Sequence, residues 1–235
     1  NRITWIEDTK EIIQKVELLV VSYPPFEVKK LSKLIVDSKT IKRVIIEKPV
    51  CESPEKSIQF INQIENSGKK IISSFLFVYT DWINLMKSGE NNKSIDWEIV
   101  NINSKDSWKW NYKLGGGVLR FYGIHIIAVC ALFNCKIQEL SSNNSNNFQA
   151  VFANNNFIFN THISYTENKP SFTLNDNFKY LSPFGTPSEN ILEDYRVPYL
   201  VKLLEDLDGN YIFLNKLLKD TISLWREIEI FNSIK

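Results

Sequence analysis

Over residues 1–90, short apolar runs alternate with stretches of helical periodicity, and this alternation constrains the fold more than any other feature of the chain. Val16 to Tyr23 is one such run, rich in β-branched side chains and stopped by Pro24-Pro25. It lacks polar alternation, as a strand buried on both faces does. From Phe26 to Val36, Val28, Leu31, Leu34 and Ile35 fall at helical spacing. Val44-Ile45-Ile46 is a second buried run, ended by Glu47-Lys48-Pro49. Ser53-Pro54-Glu55 then supplies an N-cap serine and a proline at the first helical position. That helix carries Ile58, Ile61 and Ile64 and ends at Gly68. Lys70 to Val78 reads as a third strand, and Tyr79 to Ser88 as a short helix before Gly89. Strands and helices in strict alternation predict a parallel sheet with right-handed crossovers. Such sheets bind ligands beyond the carboxyl ends of their strands. Tyr23-Pro24 and Glu47-Lys48-Pro49 both sit at strand ends and therefore belong side by side at that edge.

After Gly89 the pattern changes. Ile95 to Ile102 reads as a strand, followed by Trp108, Trp110 and the triplet Gly115-Gly116-Gly117. Val118 to Phe133 is apolar enough for a buried helix. From Ile137 to Leu181 several strands follow one another, split by Asn143-Asn144 and Asn154-Asn155-Asn156. Pro183 to Glu189 reads as a loop, and two helices flank Asp208-Gly209-Asn210. The chain thus reads as α/β followed by α+β: a parallel sheet over 1–90, then a mainly antiparallel open sheet with C-terminal helices over 91–235.

Composition narrows the function. A net charge of +1 gives no global field to attract nucleic acid or an anionic membrane. The longest apolar stretch, Ile124 to Phe133, is short for a membrane span. No basic region followed by an apolar stretch opens the chain, so no secretory signal is expected. The three cysteines, Cys51, Cys130 and Cys135, form no paired motif, which suits a reduced, cytoplasmic protein with thiols used for packing. With only two histidines, His125 and His162, a histidine-rich metal centre is all but excluded; His162 reads as a structural or surface residue of an alternating strand. The first residue is Asn1 rather than methionine, which suggests part of a longer chain.

Neither a GxGxxG fingerprint nor a Walker-type phosphate loop is present; Arg120 stands where Gly115 and Gly117 would require a third glycine. The informative constellation is an ordered set: Val20 to Pro25, Ile45 to Pro49, and Gly115 through Gly123 to His125. With that order and spacing the chain resembles the Gfo/Idh/MocA family of nicotinamide-dependent oxidoreductases. The resemblance implies a Rossmann-type NAD(P)-binding part, whose first segment with the glycine-rich turn would lie upstream, and a substrate-binding part. It implies NAD or NADP as cofactor and a sugar or nucleotide sugar as substrate, possible work in surface-polysaccharide synthesis included. It places the cofactor against Ser22, Tyr23, Pro24, Glu47, Lys48 and Pro49. Lys48 would stabilise charge on the reacting oxygen, and His125, with an ordinary pKa of about 6.5, would carry the proton. Tyr79, Trp108 and Tyr122 are candidates to line the sugar. The chain departs from the family at Phe121 and Ala128, where an aspartate is common. A degenerate relative serving as a sugar-binding or assembly subunit is the alternative. A homo-oligomer is expected, formed through the aromatic and apolar face of the second sheet.

Overall fold

The computed structural model describes residues 9–87, 92–100, 107–143, 146–175, 178–180, 182–184, 194 and 196–233. The expected element ends at Ser88, Ile102, Leu181 and Glu189 lie outside these residues.

Helix α1 (Thr9–Ile13) leads into β1 (Leu18–Val21). The stretch expected as one helix is divided: α2 (Pro25–Val28), a 3-10 turn (Lys29–Leu31) and α3 (Ser32–Asp37). Val28, Leu31 and Ile35 all point inward. Apolar spacing alone does not separate a straight helix from one tightened midway. β2 (Arg43–Ile46) follows, then α4 (Pro54–Asn66), β3 (Lys70–Ser73) and α5 (Trp82–Lys87). Ser53 caps α4 by accepting from the Lys56 N–H at 3.3 Å, with Pro54 in its first turn. Gly68 closes it at a φ of +79°. β3 stops five residues short of the expected end, and Leu76–Tyr79 forms a 3-10 turn. Phe75, Leu76 and Phe77 are buried all the same, and a buried apolar run looks identical in strand and turn.

The second half contains β4 (Asn92–Val100), α6 (Ile124–Leu132), β5 (Lys136–Asn143), β6 (Asn147–Ala153), β7 (Ile158–Thr166), β8 (Ser171–Leu174), β9 (Phe178–Tyr180), α7 (Val197–Gly209) and α8 (Tyr211–Ser233). A π turn over Leu119–Gly123 precedes α6, whose residues from Ile124 to Ala131 are all buried. The longer stretch Tyr112–Leu132 is apolar enough to cross a membrane by length and composition, but it is mostly buried in the protein.

The first sheet is parallel, in the order β1-β2-β3, as the alternation predicts. Val44, Ile46 and Ile71 join the main core, which also takes Ile35 and Ile61 from the covering helices. Ile45 and Ile72 face the other way, where Leu203 and Leu207 of α7 and Leu214 of α8 cover them. α8 is tied to β3 by the Asn215 amide, which donates to the Ile71 carbonyl at 3.0 Å and to Glu65 at 2.8 Å. α7 is tied to β2 by Arg43 and Asp208, 2.7 Å apart. β1 is the outer strand among the described residues, and its Val20 is 57% exposed.

The second sheet runs β5-β6-β7-β4-β8-β9 and is antiparallel except for the parallel pair β4 and β7. Trp97, Ile99, Phe148, Phe152, Phe159, Ile163 and Phe172 belong to the same core as α6. The opposite face shows Asp96, Gln149, Asn160 and His162, with His162 Nδ1 3.1 Å from the Asp96 carboxylate. The large aromatic side chains of the sheet point inward, and the open face mixes these polar groups with the exposed Ile158. Alternation fixes which residues share a face, but not which face meets solvent. The three thiols are free and buried, as packing residues should be.

Candidate active site

β2 ends at Ile46, and the next two residues carry the chain across the carboxyl edge of the sheet. The Glu47 N–H still bonds the Val21 carbonyl at 2.9 Å, which brings the end of β1 beside it. Lys48 follows, joined to the buried Pro49 by a cis peptide bond. The Lys48 ammonium donates to the Phe121 carbonyl, its one hydrogen bond among the described residues. It lies 4.4 Å from the centre of the Phe121 ring and 5.9 Å from that of Tyr122. Burial, with Arg196 and Lys109 near, pulls its pKa down to about 8 against the opposing pull of Glu47.

His125 reaches the same place from α6. Its imidazole lies flat on Phe77 and meets Phe184 edge-on, with centroids 6.3 Å apart. Nδ1 is buried and has no hydrogen-bond partner among the described residues. Burial, then the positive charges of Lys48 and Arg196, hold its pKa well below the ordinary histidine value. Lys48, His125 and Tyr122 line one cavity of about 490 Å³. Trp97 and Glu98 of β4, Phe184, and Arg196 at the start of α7 complete the wall used below.

The remaining sequence candidates divide. Ser22 and Tyr23 lie exposed at the end of β1, beside a half-buried Pro24 and outside that cavity. Trp108 stands behind the wall, edge-on to Phe121 at 5.5 Å and to Phe26 at 6.5 Å. Tyr79 is placed elsewhere: its hydroxyl donates to Asp206 at 2.9 Å, and its ring packs under α7. It cannot line the sugar while it holds α7, and its position at the end of an apolar run gave no sign of this. The glycine triplet is packed tightly. A side chain on Gly115 would meet Pro25 at 2.9 Å and the Glu52 backbone at 3.1 Å. One on Gly116 would meet the Trp108 carbonyl at 2.3 Å. The close approach that Gly115 and Gly116 permit is to the chain itself.

Arg120, which displaced the third glycine of the fingerprint, is a buried clamp. Its guanidinium donates to the Tyr112 and Glu52 carbonyls at 2.6 and 2.7 Å and to Glu229 of α8 at 3.0 Å. It also stacks over Tyr112, 3.6 Å from the ring centre. Glu229 accepts from the Trp225 indole at 2.8 Å and from the Tyr112 hydroxyl. The glycine turn, the segment after Pro49 and the last helix thus meet on one side chain. Sequence reasoning missed Arg120, Arg196 and Phe184, because each acts through partners more than sixty residues away in the chain or on the far side of a loop.

No protein-family model matches the sequence, and no curated protein is similar to it. Solved structures are similar. The WlbA (WbpB) dehydrogenase from Thermus thermophilus, in complex with NAD and UDP-GlcNAcA, superposes with a TM-score of 0.66 at 11% identity, over 96% of this chain and 78% of that one. A 3-ketoreductase from Actinomadura kijaniata, in complex with NADP and TDP-benzene, gives 0.64 at 12%, over 94% and 82%. The chain has the fold of the Gfo/Idh/MocA oxidoreductases. A super-repressor mutant of Gal80p from Saccharomyces cerevisiae superposes equally well, at 0.65 and 12%, over 98% and 81%. The Gfo/Idh/MocA fold therefore accounts for both sheets, and at these identities it does not choose among activities.

Residues at the strand ends fit a nicotinamide ring. Among the described residues the Ser74 hydroxyl, just past β3, is buried without a partner. Lys48 and Glu47 stand at the next strand end. A planar amide-bearing ring would find donors and acceptors there.

Proposed function

We propose that this chain works as an NAD(P)-dependent oxidoreductase on a sugar or nucleotide sugar. The single observation that carries this reading is the convergence of Lys48 and His125 on one cavity at the carboxyl edge of a parallel sheet. Ser22, Tyr23, Pro24, Glu47, Lys48 and Pro49 would hold the nicotinamide end, and Tyr122 would meet the sugar. The cofactor, when bound, supplies the hydride chemistry. The chain's own task is to position the reacting oxygen and handle its proton. Residues 1–90 serve the cofactor and 91–235 the substrate and self-assembly, in the cytoplasm, with α7 and α8 returning to cover the first sheet. The ligands in the complexes of the dehydrogenase and the ketoreductase support a nucleotide-sugar substrate.

The test is to mix the protein with NAD or NADP and a panel of nucleotide sugars and follow nicotinamide absorbance. Turnover should appear with at least one sugar and vanish in a folded Lys48→Ala variant. Undiminished turnover in that variant would remove Lys48 from the mechanism. A second reading, a sugar-binding subunit without turnover, is favoured by one observation: the Phe121 ring stands against Lys48 where the family often has a carboxylate. It predicts sugar binding by calorimetry with no absorbance change.

A further inference from the structure

The roles of the two polar residues at the site can be separated by what surrounds them. We infer that His125 is held neutral, with its hydrogen on Nε2, as a fixed hydrogen-bond donor, and that Lys48 is the group that exchanges the proton with the reacting oxygen. This rests on the oxidoreductase reading above and refines it.

One face of the His125 ring is covered by aromatic carbon, and a second aromatic ring stands beside it. Phe77 lies parallel at 4.2 Å and Phe184 stands edge-on. Imidazolium would need acceptors for two N–H groups, yet Nδ1 is buried with none. A buried orphan N–H costs more than a buried orphan lone pair. The hydrogen therefore belongs on Nε2. A nitrogen that already carries hydrogen donates to the substrate oxygen and cannot take a proton from it. Among the described residues no carboxylate is hydrogen-bonded to the ring, and position 121, one helical turn earlier, is phenylalanine. The charges nearest to it, Lys48 and Arg196, are both positive.

Lys48 has the opposite setting. Its hydrogen bond to the Phe121 carbonyl needs only one N–H, so it survives in both the ammonium and the amine. The amine keeps its lone pair for the substrate. Burial favours the amine, and the nearest charges add to or oppose it. Arg196 from the start of α7 and Lys109 from the tryptophan segment favour the amine, and Glu47 beside it favours the ammonium. Glu98 of β4 lines the same cavity, and Tyr122 stays protonated because burial raises its pKa. Arg196 is itself paired with Asp194 at 2.6 Å. Burial above all, and then this balance of charges, leave Lys48 with a pKa of about 8, within reach of neutral pH.

In the oxidation direction the substrate O–H bond breaks and an N–H bond forms at Lys48 Nζ. The electron pair of the breaking carbinol C–H bond leaves as hydride to NAD(P)+, and the alcohol becomes a carbonyl. Reduction runs the same transfers backwards, with the Lys48 ammonium as the acid. Oxidation should therefore rise with pH through about 8, and reduction should fall through it.

The decisive measurements need no substrate. Nitrogen NMR of the full chain between about pH 5 and pH 9 should show His125 with hydrogen on Nε2 throughout. The chain has two histidines, so His162→Gln assigns the remaining signal. In parallel, acylation of Lys48 by a small amine-reactive ester, mapped by mass spectrometry, should reach half its maximum near pH 8. A His125 midpoint between about 6 and 7, or Lys48 reactivity that rises only near about 10 as for a surface lysine, would overturn the assignment. Both arms read the two residues whether or not turnover is ever found, so failure of the oxidoreductase reading and failure of this one stay distinct. Where turnover is found, His125→Asn should slow it and keep the pH limb near 8. Loss of that limb in His125→Asn would return the proton to the histidine.

Discussion

The ring of His125 lies parallel to that of Phe77, with centroids 4.2 Å apart and an interplanar angle of 8°. Phe77 is fully buried and also touches Trp82, Trp97 and Phe184. One phenylalanine thus sets the plane in which the histidine meets the cavity. Phe77→Leu should cost about 1–3 kcal/mol of stability, through a small cavity and the lost ring contact. The same variant should broaden the His125 NMR signal. Urea unfolding and NMR together check this, and a sharp, unshifted signal would deny Phe77 its role.

Lys48 is expected to trade stability for chemistry. Its pKa is about 8 in the fold and about 10.4 in an unfolded chain. Between those values the unfolded state binds more protons, so stability rises as pH rises through this window. Below about 8 the buried ammonium carries its full desolvation cost. Lys48→Met should therefore abolish turnover and raise the unfolding midpoint. The gain should be largest below about pH 8 and fade by about pH 10. Denaturant unfolding of both proteins across that range decides the matter, and a gain that grows with pH would contradict it.

How much of this was legible beforehand varies with distance along the chain. The three parallel strands followed from local apolar runs, and the paired ends at Tyr23-Pro24 and Glu47-Lys48 followed from them. Lys48 and His125 stand in ordered motifs, and Tyr122 lines the cavity that they share. The sequence did not show that Tyr79 would turn away, because a 3-10 turn and a strand bury an apolar run alike. Nor did it show Arg196, whose place is set by a helix returning to the first sheet from the far end of the chain. The state of His125 depends on Phe77, Phe184 and an absent acceptor, none of which leaves a trace at position 125.

Arg120 is buried and its partner Glu229 half-buried, with side-chain exposures of 9% and 18%. Removing Arg120 takes the paired positive charge from Glu229, leaving it the Trp225 indole and the Tyr112 hydroxyl, and frees the Tyr112 and Glu52 carbonyls. Arg120→Met should cost about 3–5 kcal/mol. The double variant Arg120→Met with Glu229→Leu should recover much of that loss, since an apolar pair of similar volume is tolerated. Equilibrium unfolding of the single and double variants measures the coupling. Additive losses would mean that the pair does not act as a unit.

Gly116→Ala should be among the more damaging small substitutions in the chain. The new methyl would stand 2.3 Å from the Trp108 carbonyl oxygen and 2.5 Å from the Lys109 backbone. Backbone cannot step aside as a side-chain tip can, and strain of about 1–3 kcal/mol is expected. Gly209→Ala is the control, because nothing lies within 4 Å of its Cβ position. Equal thermal midpoints for the two variants would show that the turn is slack.

The outer edge of β1 bears on how the protein behaves in a test tube. Among the described residues no strand pairs beyond Leu18–Val21, and Val20 stands out at 57% exposure on an apolar run. Unpaired amides beside an exposed β-branched side chain are a template for any extended peptide that arrives. With a net charge of +1, the molecule has little long-range repulsion to keep copies apart. This edge is therefore where a further strand of the protein, or any extended peptide, would pair, and a lysine in place of Val20 should weaken that pairing.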